Sequence, residues 1–297
     1  MLNKPEKTEK TEKTEKNEKN DKHDKRPEER MAKSPPAKAP PDKSAPVHYQ
    51  PPPTHRPTVI LVGADKGGVG KTTITRTLLA YLAARHIPRR AFDTEHPKGT
   101  LKRFHPEITE IVDVTSAADQ MKIFDTINAS EATVIDVRAG LLSTTLTVLR
   151  DIGFMEHAKT SNYTFAVFHI LGPSIASLEE IADTADFLAG AHHVLVKNFI
   201  NNTTFFDWEP ATYNSYFKRI KGAQEISVPR LNELACEQVE IAAIPFHTFA
   251  SNHTRDGKDA AYSFVLRGYV RHWLHKVFAE YDRVRLTELI HHRQKVA

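Results

Sequence analysis

Short runs of aliphatic residues alternate with segments of helical spacing through most of the chain. The run at 59–62 leads into a helical pattern at 72–85, and further strands are predicted at 90–94, 108–114, 132–136, 163–171, 192–201 and 241–245. Helical spacing fills the intervals and ends in a long run, at 115–128, 141–159, 174–190, 211–221, 229–240 and 262–292. This order predicts an α/β fold, a doubly wound and mainly parallel sheet with helices on both faces.

The first 56 residues follow a different pattern, with charged triplets up to about residue 25 and many prolines, alanines and lysines from 27 to 57. A segment with so few apolar residues cannot bury a core, and a proline-rich spacer favours extended conformations. We therefore predict a disordered tail over residues 1–56, and one domain with basic C-terminal helices over residues 57–297. A tether or a weak electrostatic contact with a partner is the alternative role for the tail.

Composition narrows the function classes only modestly. The formal net charge of +4 and the pI of about 9.0 permit contact with nucleic acid or anionic lipid without requiring it. Cys236 is the single cysteine, so one chain can form neither an internal disulfide nor a cysteine-ligated cluster, and we expect it in or near a helix core. The sequence has no apolar stretch of bilayer length and no apolar leader, which predicts a cytoplasmic protein.

The stretch after the first strand, residues 63–73, has the composition of a phosphate-binding loop. Its glycines permit positive φ and close approach of the backbone, so that successive N–H groups and the next helix N-terminus can face an anion. Lys71 can reach the β- and γ-phosphates of a nucleotide, and the Thr72 hydroxyl can coordinate Mg²⁺. The predicted nucleotide-binding residues of this loop are Gly67, Gly68, Val69, Gly70, Lys71, Thr72 and Thr73.

A second lysine, Lys66, stands at the front of KGGVGKTT, and with it the loop resembles the deviant Walker A motif of the ParA/MinD family of P-loop ATPases. In that family the front lysine crosses a dimer interface to the partner's nucleotide, a catalytic role that the resemblance gives to Lys66. Asp65 departs from the ordinary Walker A pattern, which has glycine at that position. The alternative for Lys66 is a solvated loop lysine.

Two acidic segments resemble the switch regions of the same family. Asp93 and Glu95 in FDTEHP match a switch that orders the attacking water, although the family usually has aspartate where Glu95 stands. Asp136 in VIDVRAG matches the Walker B aspartate, and Gly140 matches the glycine of the second switch. The resemblance therefore implies catalytic roles for Asp93 and Glu95, and a metal-binding role for Asp136 beside Thr72. Solvated loop acids are the alternative for the first two.

The resemblance also assigns contacts to the adenine base. Asn198, at the end of a predicted strand, matches an asparagine that contacts the base, and the loop after the predicted strand at 241–245 adds Pro245. A strand-end asparagine is also a common turn former. The aromatic cluster at 205–208 is predicted to pack locally, with a partner contact as the alternative.

The C-terminal helical run combines apolar spacing with an excess of basic residues. Packing of its apolar face on the sheet is the plainest interpretation. A basic face for DNA phosphates and a membrane-surface helix are the alternatives, and membrane contact is the less favoured of the two.

These features predict an ATP-dependent dimerising switch ATPase that uses ATP and Mg²⁺, with slow hydrolysis stimulated by a protein activator. The resemblance implies a homodimer with ATP and a task in plasmid or DNA partitioning, conjugal transfer or intracellular positioning. A ligase of the CobQ/dethiobiotin-synthetase type and a nucleotide-binding adaptor with little hydrolysis share the fold and stay open as alternatives.

Overall fold

The computed structural model describes residues 56–160, 163–172, 174–175, 177–179, 181, 188–200, 204–205, 210–217, 220 and 222–291. The predicted tail, much of the predicted helix at 174–190 and most of the aromatic cluster at 205–208 lie outside these residues. Those expectations stay predictions, as do the domain boundaries.

Within the described residues, seven strands form one sheet: β1 Thr58–Gly63, β2 Arg89–Asp93, β3 Thr109–Ile111, β4 Ala132–Asp136, β5 Thr164–Ile170, β6 His192–Asn198 and β7 Gln224–Val228. Every pairing between them is parallel, in the order β3-β2-β4-β1-β5-β6-β7. This confirms the predicted parallel α/β fold. The strand order reverses at β1, between β4 and β5, and ligands of such sheets bind at the carboxyl ends of the strands around that point.

The helices whose bounds the structure describes are α1 Lys71–Ala84, α2 Ala117–Phe124, α3 Leu142–Asp151, α4 Phe154–Thr160, α5 Pro210–Phe217, α6 Glu233–Ala242, α7 Phe246–Ala250, α8 Phe264–Arg283 and α9 Leu286–Ile290. They cover both faces of the sheet, and the side chains of β1 alternate between the two buried clusters that result. Ile60 and Val62 pack toward α1 and the C-terminal helices, whereas Val59 and Leu61 pack toward α2, α3 and α4. Burial on both faces is typical of a central parallel strand.

The predicted strand at 241–245 is wrong, because this stretch ends α6 and leads into α7. Ala243 has a left-handed φ of 50° that stops α6, and Pro245 occupies the N-cap position of α7. The periodicity of a short apolar run does not distinguish a strand from a helix end. The strand β7 is absent from the prediction, since only Ile226 and Val228 of its five residues are fully buried.

Two predicted helices are each interrupted by a residue of left-handed conformation. The segment at 141–159 forms α3 and α4, separated at Gly153 with a φ of 64°. The C-terminal run forms α8 and α9, separated at Arg285 with a φ of 55°. Cys236 is exposed on α6, so its expected place in the core is wrong. None of the helices in the described ranges is long and apolar enough to span a membrane.

Candidate functional site

The loop between β1 and α1 has the conformation that its glycines predict. Gly68 and Gly70 adopt φ values of 75° and 88°, a region that residues with a Cβ rarely occupy. A Cβ added to Gly70 would lie 2.2 Å from Nδ2 of Asn198, so the close approach also requires glycine. The same Nδ2 donates a hydrogen bond to the carbonyl of Val69, at 3.0 Å. Asn198, at the end of β6, therefore stabilises the conformation of the loop.

The first turn of α1 joins this loop to the end of β4. Lys71 is buried, and its Nζ donates to the carbonyl of Lys66 at 2.9 Å. The Thr72 hydroxyl donates to Oδ2 of Asp136 at 2.7 Å, and the Thr75 hydroxyl donates to Oδ1 at 2.8 Å. Asp136 pairs in register with Val62 of β1, which explains how residues so distant in sequence meet.

Asp136 is held in an environment that disfavours its charge. Burial raises the pKa of its carboxyl group to about 7, and the hydrogen bonds from Thr72 and Thr75 act in the opposite direction. A nearby divalent cation would compensate for this desolvation. Hydroxyl and carboxylate oxygens are also the ligands that Mg²⁺ prefers. Thr72 and Asp136 therefore fit a magnesium ion.

A cavity of about 290 Å³ opens beside these groups at the carboxyl ends of β2 and β4. It collects most of the residues that the sequence assigns to nucleotide, metal and catalysis, and adds the start of the segment after β4. The lining residues are Gly68, Gly70, Lys71, Thr72, Thr73, Asp93, Glu95, Asp136, Val137, Arg138 and Ala139. A larger cavity of about 440 Å³ between α2 and α4 shares no residue with it and has a more apolar lining.

The two predicted catalytic acids reach the cavity with both oxygens of Asp93 and one oxygen of Glu95 already accepting hydrogen bonds. Oδ1 of Asp93 accepts from the Glu95 N–H at 2.9 Å, and Oδ2 accepts from the N–H groups of Leu101 and Lys102 at 2.7 and 3.2 Å. Burial raises the pKa of Asp93, while these backbone bonds lower it. Glu95 accepts a hydrogen bond from the hydroxyl of Thr100. Both carboxylates thus stabilise the segment after β2, and their catalytic roles stay predictions.

Five predicted site residues are not among the described residues that line the cavity: Lys66, Gly67, Val69, Asn198 and Pro245. Lys66 is exposed and is not among the described residues that line the cavity. Asn198 is only 4% exposed, and its amide nitrogen is engaged by Val69 beneath the loop. Pro245 precedes α7 and is also outside the set of described lining residues. The dimer contact of Lys66 and the base contacts of Asn198 and Pro245 stay predictions.

Several polar contacts at the site have no counterpart in the sequence-based assignment. The hydroxyl of Thr94 accepts from the Arg138 N–H at 2.8 Å, and the Thr94 N–H donates to the carbonyl of Asp136 at 3.1 Å. Oδ1 of Asp65 accepts from the Leu142 N–H at 2.8 Å, at the start of α3. In the sequence, these contacts are indicated only by the presence of polar side chains at Thr94, Asp65 and Arg138.

No family model and no curated protein matches the chain. Among solved structures it is similar to the MinD cell division protein of Aquifex aeolicus, with 13% identity, 74% of this chain and 97% of that chain covered, and a TM-score of 0.43. The MinC:MinD cell division protein complex from the same organism has 10% identity, with 74% of this chain and 96% of that chain covered, and a TM-score of 0.42. A nucleotide-binding protein from Archaeoglobus fulgidus, in complex with ADP, has 16% identity, with 62% of this chain and 85% of that chain covered, and a TM-score of 0.39.

Proposed function

We propose that this chain binds ATP with Mg²⁺ in the cavity at the carboxyl end of β4, and hydrolyses it slowly. The observation that carries the proposal is the convergence of Lys71, Thr72 and Asp136 beside a loop with two left-handed glycines. In a bare turn between strand and helix these three polar residues would have no reason to meet. Glycine loop, lysine, hydroxyl and carboxylate together suit a bound triphosphate.

Each group has a distinct task in this proposal. The N–H groups of the glycine loop and the ammonium of Lys71 bind the phosphates, and Thr72 with Asp136 holds the metal ion. When bound, Mg²⁺ neutralises charge on the β- and γ-phosphates. Attack of water at the γ-phosphorus breaks its bond to the bridging oxygen and yields ADP, phosphate and a proton. Asp93 and Glu95 are the proposed residues for ordering that water.

The finer proposal is a switch that dimerises with ATP. Lys66 is exposed at the edge of the loop, where a second subunit could receive it. A homodimer, a protein activator and a task in DNA partitioning, conjugal transfer or positioning follow the resemblance of KGGVGKTT. The outer face of α8 is the proposed DNA contact, since it exposes Arg271, His272, His275 and Lys276.

Light scattering with Mg²⁺ and a slowly hydrolysed ATP analogue tests the dimerising switch. We expect the wild-type protein to dimerise, and Lys66→Ala to bind nucleotide as a monomer. Lys98→Ala, at an exposed lysine of another loop, serves as the matched control and should dimerise. Normal dimerisation of Lys66→Ala would overturn the role of this lysine.

A nucleotide-binding adaptor with little hydrolysis is the second candidate. The observation in its favour is that the carboxylates of Asp93 and Glu95 already accept hydrogen bonds from their own segment. Phosphate release measured at saturating ATP and Mg²⁺, with and without DNA, separates the candidates. Turnover abolished by Asp136→Asn would support the ATPase, whereas saturable binding without turnover would support the adaptor.

A further inference from the structure

Among the described residues that line the cavity, Arg138 is the charged residue to which the proposed function gives no role. It stands in the wall of the cavity together with Lys71, Thr72 and Asp136. Its side chain is exposed, and its guanidinium makes no hydrogen bond or ion pair with any residue that the structure describes. This holds although three carboxylates, those of Asp93, Glu95 and Asp136, line the same cavity. An arginine without a carboxylate partner, in a cavity suited to phosphate, is available for an anionic ligand.

The backbone of Arg138 is fixed on both sides. Its N–H donates to the Thr94 hydroxyl at 2.8 Å, and the preceding Val137 N–H donates to the carbonyl of Val62 at 2.9 Å. Two residues later, the Gly140 N–H donates to the carbonyl of Asp65 at 2.8 Å. The Cα of Arg138 is therefore held by β1, by the segment after β2 and by the glycine loop, while the side chain can still turn toward a ligand.

The glycine loop lies next to this segment, and both line the cavity. A Cβ added to Gly67 would lie 3.8 Å from Cβ of Ala139, so the residue after Arg138 faces the loop directly. The metal-binding pair, Thr72 and Asp136, stands beside the same wall. Phosphates bound by the loop would therefore have their metal-bound, terminal end next to Arg138.

We infer that Arg138 contacts the terminal phosphate of the bound triphosphate, an inference that rests on the proposed function. Guanidinium groups bind phosphate oxygens through two parallel N–H bonds, which a lysine cannot reproduce. The chain thus supplies from its own second switch a cation that distinguishes a triphosphate from a diphosphate. A solvated surface arginine would make no such distinction.

Equilibrium titration of the full chain with two nucleotides in Mg²⁺ tests this inference. The probes are a slowly hydrolysed ATP analogue and ADP, on wild type, Arg138→Ala, Arg138→Lys and Arg150→Ala. Loss of a charged hydrogen bond should weaken the analogue about tenfold in Arg138→Ala and leave ADP affinity within about twofold. Arg138→Lys should fall between wild type and Arg138→Ala. Arg150, an exposed arginine at the far end of α3, is the matched control and should behave as wild type.

The outcomes separate the inference from the proposed function. If wild type binds both nucleotides and Arg138→Ala keeps the wild-type ratio of the two affinities, the role of Arg138 is overturned while the nucleotide site stands. If wild type binds neither nucleotide, the proposed function fails and this inference fails with it. A loss confined to the triphosphate would support the assignment of Arg138 to the terminal phosphate.

Discussion

The segments that follow β1 and β2 reach the same cavity, yet they use their polar groups differently. After β1, the backbone opens through Gly68 and Gly70, and Lys71 and Thr72 line the cavity. After β2, the carboxylate of Asp93 accepts three backbone N–H groups of its own segment. The first segment therefore presents a cation and a hydroxyl at the cavity, whereas the carboxylate of the second segment stabilises the conformation of its own backbone.

This difference matters for assigning roles by resemblance. A residue at the end of a strand lies at the cavity. The hydrogen bonds that its side chain already makes then decide which ligand it can contact there. Thr72 and Asp136 remain well placed for a metal ion, because their mutual bond of 2.7 Å leaves further lone pairs on both oxygens. Substitutions in the two segments should therefore have effects of different kinds.

The largest effect is expected in the segment after β1. Thr72→Ala removes a proposed metal ligand and should weaken ATP binding in Mg²⁺ about a hundredfold, or about 2.7 kcal/mol. Binding in EDTA should hardly change, since the hydroxyl acts through the metal ion. Thr72→Ser keeps the hydroxyl and is the control. Equal affinities of Thr72→Ala and wild type in Mg²⁺, measured by calorimetry, would contradict the metal site.

In the segment after β2, the main effect should be on stability. Asp93→Ala leaves three N–H groups without their acceptor and should lower the free energy of unfolding by about 2 kcal/mol. Asp93→Asn retains one acceptor oxygen and should lose about half as much. Urea denaturation provides the measurement. Wild-type stability of Asp93→Ala would show that the bonds to Glu95, Leu101 and Lys102 contribute little.

A substitution at Asn198 tests how much its hydrogen bond to the glycine loop contributes to stability. Asn198→Ala removes the bond to the Val69 carbonyl and should cost about 1 kcal/mol of unfolding free energy. The ratio of ATP to GTP affinity should be measured on the same variant. A changed ratio would support the predicted base contact, and an unchanged ratio would limit Asn198 to supporting the loop.

The smallest effect on stability is expected at Glu95. Its carboxylate is half-buried and, among the described residues, accepts a hydrogen bond only from the nearby Thr100 hydroxyl. Glu95→Gln should therefore change the unfolding free energy by less than about 0.5 kcal/mol. Turnover of ATP then reports its catalytic role without a loss of fold. A tenfold fall in turnover, at unchanged stability, would place Glu95 in the reaction, and unchanged turnover would exclude it.

The sequence predicts local features well and contacts between distant segments poorly. The glycine loop and the flanking strand and helix follow from patterns within about 25 residues, and the structure confirms them. The apolar run at 241–245 misleads, because Ala243 and Pro245 end one helix and start the next.

The bonds from Asp65 to Leu142 and from Thr94 to Arg138 could not be predicted. The first joins residues 77 positions apart and the second joins residues 44 positions apart, so neither leaves a periodic signal in the chain. They become visible only once β1, β2 and β4 lie side by side in register. Such contacts decide which carboxylates and cations stay available for a ligand.

The most direct test of the nucleotide site is equilibrium dialysis of wild type and Lys71→Ala with labelled ATP and Mg²⁺. We expect one saturable site per chain in the wild type, and affinity about a hundredfold lower in Lys71→Ala because a charged phosphate contact is lost. Lys122→Ala, at an exposed lysine on α2, should bind as the wild type does. No saturable binding by the wild type, or equal affinities for wild type and Lys71→Ala, would contradict the site.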